Sequence, residues 1–155
     1  MSAEKPLSRT VRRKAYVYCV HDGRLLVFSH PDFPPSEVGI QVPGGSIRDG
    51  EDPEVAALRE LIEETGQDSF RIVRRVGQAT YDISPYRPEI QERVFFLARP
   101  TDELPERWTA HEHHDGEAPP TALAFFWIPL SAAHVLQAGQ GALIGALGDE
   151  EANAA

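Results

Sequence analysis

Glu60, Glu63 and Glu64 recur at spacings of three and four, so a helix through them stacks all three carboxylates on one face. Like charges placed that way repel by a few tenths of a kcal/mol per pair, on the order usual for helix surfaces. Glu63 and Glu64 also precede Gly66 by less than one turn, where the helix dipole is already negative. A solvated helix face normally sets a lysine or arginine four residues from each glutamate, and Glu60 and Glu64 have none. Arg59 is the only cation between 53 and 65, and it reaches Glu63 in the less favourable order for a helix pair. A hard divalent cation would turn the repulsion into binding, because Mg²⁺ takes oxygen ligands and commonly combines carboxylates with substrate phosphates. On spacing alone, a solvated face and a metal site both stay open.

The elements that must hold these groups are well signalled. Asp52 is a good N-cap, Pro53 suits the first helical position and Gly66 the residue past the end, which predicts a helix over 53–65. On a helical wheel Val55, Leu58, Leu61 and Ile62 lie nearly opposite the carboxylates and form the expected docking face. Ala56 and Ala57 extend the acidic face without bulk, leaving room for something to approach. Strands are expected at 14–20 and 24–30, joined by the turn "HDG", and at 39–43, 70–83, 91–100 and 122–130. Residues 131–139 read as a short helix capped by Ser131, 141–150 as a further helical segment, and 102–120 as a long connection. Strands outnumber helices without regular βαβ alternation, so the expected class is α+β with a mixed sheet. One domain over 11–148 is expected, with 1–10 and 149–155 as flexible ends.

The segment 45–67 resembles the signature of the Nudix hydrolase family. Gly45, Glu51, Arg59-Glu60, Glu63-Glu64 and Gly66 all stand at the family's spacing, and "VPGG" leads into them. Gln67 departs from the bulky aliphatic residue preferred there, at a position that packs rather than reacts. The resemblance implies an α/β/α sandwich in which this segment forms a loop–helix–loop. It implies hydrolysis of a nucleoside diphosphate linked to another group, X, with Mg²⁺ or Mn²⁺ as cofactor. Glu60, Glu63, Glu64 and the Gly44 carbonyl would hold the metal. Arg59 would hold a signature glutamate, Glu51 before Glu63. Glu60 or Glu63 would be the general base.

Outside the signature, His111, Glu112, His113, His114, Asp115 and Glu117 crowd one loop. Glu112 and Glu117 are candidates for a further ligand or the base, against the alternative of a merely solvated loop. Arg71, Arg74 and Arg75 read as exposed strand residues, since alternation sends them to both faces. Phe33, Tyr81, Tyr86 and Trp108 could stack on a base or simply pack. A net charge of −9 argues against a nucleic-acid polymer or an anionic membrane as partner, and leaves a small nucleotide needing local cations. No apolar stretch reads as a signal peptide or a bilayer span, so a cytoplasmic location is expected; a homodimer is compatible with the sequence. Two other classes deserve weighing. A nucleotide-sensing module without catalysis would usually lack box glutamates, which are whole here. An isomerase of isoprenyl diphosphates would need a reactive cysteine, and Cys19 sits in an apolar run.

Overall fold

The computed structural model describes residues 9–113 and 118–148. Seven strands and one α-helix lie among them: β1 (Thr10–His21), β2 (Arg24–Ser29), β3 (Gly44–Ser46), α1 (Pro53–Thr65), β4 (Phe70–Asp82), β5 (Glu89–Pro100), β6 (Arg107–Glu112) and β7 (Thr121–Pro129). The sheet runs β4-β5-β1-β2-β7-β6, with β3 paired to β1 off that path. It is mixed, because β1 lies parallel to β5 and antiparallel to β2 and β3. The β1–β2 turn is Asp22-Gly23 with both φ values positive, 52° and 71°, the geometry that two-residue hairpins favour.

Alternation along β1 divides the core. Ala15, Val17 and Cys19 point to the face that carries α1, while Tyr16, Tyr18 and Val20 point to the other. That second face is covered by a 3₁₀ segment at Leu130–Val135 and another at Ile144–Ala146, through Ala133, Leu136, Leu143 and Ile144. The layers are therefore helix, sheet and 3₁₀ segments, the α+β sandwich expected.

Several local expectations need correcting. Residues 39–43 make only isolated bridges, Phe28 with Gln41 and Ile40 with Leu136, and the strand proper is formed by Gly44–Ser46. The connection 102–120 contains β6, whose Trp108 and Ala110 face the core beside α1. Ser131 caps nothing. The turn after β7 is 3₁₀, and its N-cap position is Pro129, without a side-chain bond. Thr10, assigned to the flexible end, already pairs with Glu89.

The helix docks on a face rotated from the one the wheel suggested, with Leu61 common to both. Ala56, Ala57 and Leu61 are fully buried and Glu64 and Thr65 nearly so, whereas Val55 is 58 % exposed. Leu58 and Ile62 pack only at the margin. The small alanines let α1 approach the sheet closely, so Glu60 and Glu64 turn inward while Glu63 stays half exposed.

Candidate functional site

The signature builds itself in three steps. Asp52 Oδ1 accepts from the Glu54 and Val55 N–H groups at 2.9 and 3.4 Å, and Gly66, at φ 68°, donates to Ile62 O. At the far end the Trp108 indole of β6 donates to Thr65 O at 2.8 Å, fixing the last turn against the second half of the sheet. Glycines then permit the close approach of β3. A Cβ at Gly44 would stand 2.5 Å from both Ala15 O and Tyr16 Cδ1, and one at Gly45 would collide with the Glu60 carboxylate.

Arg59 organises the carboxylates. Its Nε and Nη2 donate to the two Glu51 oxygens, each at 2.8 Å, in the bidentate fork that guanidinium geometry favours. Nη1 reaches Glu60 at 2.9 Å and Glu63 at 3.3 Å, and Nη2 also donates to Ser46 O at 3.1 Å. These bonds with the Arg59 guanidinium pull the Glu51 carboxyl down to about 2. Glu51 is thus the principal partner, as expected, and Glu60 and Glu63 share the same guanidinium.

Glu64 is the anomaly. It is 5 % exposed, accepts the Gly44 N–H at 2.7 Å, and burial lifts its pKa well above the ordinary carboxylate range. Glu60 is lifted in the same way, burial outweighing Arg59. Glu112, at the end of β6, adds to both shifts, so it stands within electrostatic reach of the pair. The structure therefore brings Gly44, Gly45, Glu51, Arg59, Glu60, Glu63, Glu64 and Glu112 to one place. Glu117, together with His114 and Asp115, lies outside the described residues, while His111 is exposed. Among the described residues no three acidic, histidine or cysteine side chains already converge as a finished metal cage. The donor set nonetheless fits a hard divalent ion: all oxygen, two members desolvated, and a third and fourth nearby.

Two neighbours escaped the sequence reading. Lys14, on β1 opposite Ser46, feels Glu60, and burial followed by Arg12 lowers its pKa. His30, just past β2, has a buried Nδ1 without a hydrogen-bond partner among the described residues, and burial lowers its pKa against the pull of Glu112. Neither has a local signature; sheet register alone brings them here. Beside Lys14 opens a cavity of about 600 Å³ lined by Arg12, Lys14, Tyr81, Tyr86, Arg87 and Gln137 among others. Of the four aromatic candidates, Tyr81 and Tyr86 reach it, Tyr86 being 81 % exposed. Trp108 instead stacks on Phe125 in the core, 5.1 Å between ring centres. Arg71 and Arg75 are exposed, as expected of strand residues.

The family model of the NUDIX domain matches residues 10–144. The chain belongs to the Nudix family. Among curated relatives, Nudix hydrolase 25 of Arabidopsis thaliana is 56 % identical over 46 residues, 29 % of this chain and 26 % of that protein. An RNA pyrophosphohydrolase of Caulobacter vibrioides is 47 % identical over 66 residues, 41 % of this chain and 37 % of that one. The matches thus span well under half of those relatives' length. A MutT NUDIX hydrolase from Burkholderia pseudomallei superposes with a TM-score of 0.64 over 90 % of this chain and all of its own, at 19 % identity. The E. coli ORF135 protein gives 0.63 over 92 % of each chain at 21 % identity, and both likenesses speak to the fold.

Proposed function

We propose that this protein is a metal-dependent hydrolase that cleaves the phosphoanhydride of a nucleoside diphosphate linked to another group. The observation that carries the reading is Glu64: a buried carboxylate with raised pKa, facing Glu60 and Glu112, beside a glycine strand. Mg²⁺ or Mn²⁺ would be held by Glu60, Glu63, Glu64 and the Gly44 carbonyl, with Glu112 as a further ligand. Bound there, the ion would supply charge neutralisation at the phosphate oxygens and an acidified water.

The chain's own residues do the rest. Arg59, anchored on Glu51 and Ser46 O, holds Glu60 and Glu63 in a fixed relation to β3. Glu60 suits the general base better than Glu63, because burial raises its pKa toward neutrality whereas Glu63 is half exposed. The large cavity would receive the nucleoside, with Tyr86 available for stacking and Arg12 and Lys14 for phosphate. Fully buried Cys19, its thiol pushed upward by burial, is unsuited to nucleophilic or isomerase chemistry.

The test is a substrate panel with Mg²⁺ that includes nucleoside diphosphate sugars, dinucleoside polyphosphates and a 5′-triphosphorylated RNA, the last because relatives are named RNA pyrophosphohydrolases. Release of nucleoside monophosphate or pyrophosphate is expected. Glu64→Gln should lower turnover by at least about a thousandfold and abolish saturable Mg²⁺ uptake in calorimetry, while leaving the fold intact. Nucleotide binding without cleavage across the panel would instead mark a sensor.

A further inference from the structure

A second cleft opens between the start of β1 and the loop after β3, adjoining the larger cavity at Arg12. Its volume is about 370 Å³, and Arg12, Arg13, Ser46, Arg48, Asp49 and Gly50 are among its lining. Three arginines and one aspartate line it, in a chain of net charge −9; Arg13 and Arg48 border it from the strand and the loop, and Arg12, leaving β1 on the opposite face, borders it from the edge. They are weakly employed. Arg12 meets Glu89 through Nε at 3.1 Å, and Arg48 only grazes Glu63 at 4.0 Å. Arg13 has no ionic partner among the described residues, although its carbonyl accepts from the Ile47 N–H and ties the loop to the strand.

We propose that this cleft is an anion site for the group X, so that the preferred substrate carries at least one phosphoryl charge beyond the scissile anhydride. The inference rests on the hydrolase reading above. β3 spans the two places: Gly44 touches Glu64, and Ser46 lines the cleft, about 7 Å farther at some 3.3 Å per residue. Arg12 lines both this cleft and the larger cavity, so the two adjoin, and a substrate with its nucleoside in the cavity can reach the cleft with X. Guanidinium forks recognise phosphate oxygens bidentately. A neutral sugar in the same place would leave their charge unmatched and give up the strongest contacts on offer. X is therefore a phosphate, an oligophosphate or a phosphorylated moiety rather than an uncharged sugar.

The experiment compares kcat/KM for diadenosine tetraphosphate and ADP-glucose in the wild type and in the double variant Arg13→Gln/Arg48→Gln, with folding checked by circular dichroism. The wild type should favour the tetraphosphate, and the double variant should lose about tenfold to a hundredfold of that preference. An unchanged ratio overturns the proposal. Calorimetric binding of inorganic tripolyphosphate to the metal-free chain provides an arm independent of turnover, with affinity expected to fall at least about tenfold in the double variant. If no nucleotide is cleaved but that fall is seen, the hydrolase reading fails and the anion site stands. If the nucleotides are cleaved and tripolyphosphate binds both proteins equally, the reverse holds.

Discussion

At the scale of single residues, the tension lies in Glu64. Unfolded, its carboxyl ionises near the ordinary 4.5; folded, burial makes it hold its proton to higher pH. The native state therefore binds more protons than the unfolded one above that pH, and stability must fall as pH rises through the window between the two values. Thermal denaturation of the metal-free protein should show this loss, and Glu64→Gln should flatten it, leaving the smaller share due to Glu60. Identical slopes for the two proteins would mean that Glu64 is not desolvated as described. Saturating Mg²⁺ should reverse the wild-type trend, since it favours the ionised form. The helix carboxylates and their arginine could be read from charge and spacing, because a helix converts spacing into adjacency. Glu112 was only one candidate in a crowded loop, and it is the pairing of β6 that brings it within reach. Lys14 and His30 could not, since their nearness depends on which strands pair, and no local pattern encodes that.

At the scale of elements, β3 is three residues long and carries two glycines into the tightest contacts of the site. Substitution at the two should separate stability from function. In Gly44→Ala the new methyl meets the Ala15 carbonyl and the Tyr16 ring, both held by β1, so a loss of about 1–3 kcal/mol is expected in urea unfolding. In Gly45→Ala it meets the movable Glu60 carboxylate, so stability should hold better while Mg²⁺ affinity falls by about tenfold. Equal losses of stability in both variants would count against this division. The capped ends of α1 were legible, because Asp52, Pro53 and Gly66 act within their own turn. Its docking face was legible only in part: Leu61 is buried as expected and Val55 is not. A wheel ranks residues by hydrophobicity, whereas here two alanines decided how near the sheet could come. The strand 107–112 escaped notice because its exposed alternate residues, Arg107, Thr109 and His111, read as loop.

For the molecule as a whole, the wall of the large cavity is held in place by two glutamines in the closing segment. Gln140 accepts the buried Val42 N–H at 2.7 Å, Gln137 accepts the Gly39 N–H, and Arg93 donates to Ala138 O. Gln140→Leu should strand that buried donor and cost about 1–3 kcal/mol, read as a lowered denaturant midpoint. An unchanged midpoint would show that the contact contributes nothing. Class, mixed sheet and the central helix followed from pattern; long-range ties such as Tyr18 Oη donating to Gln140 O at 2.7 Å did not, being set only once the chain has closed. The parallel ladder of β1 with β5 has a temporal side as well. Thr10 aligns with Glu89 and Cys19 with Ala98, residues separated by about 80 positions, so this is a high-contact-order topology of the slower-folding kind. During translation, one edge of a strand with six consecutive buried residues, Ala15 to Val20, must wait, unzipped, until the ribosome has delivered its neighbour.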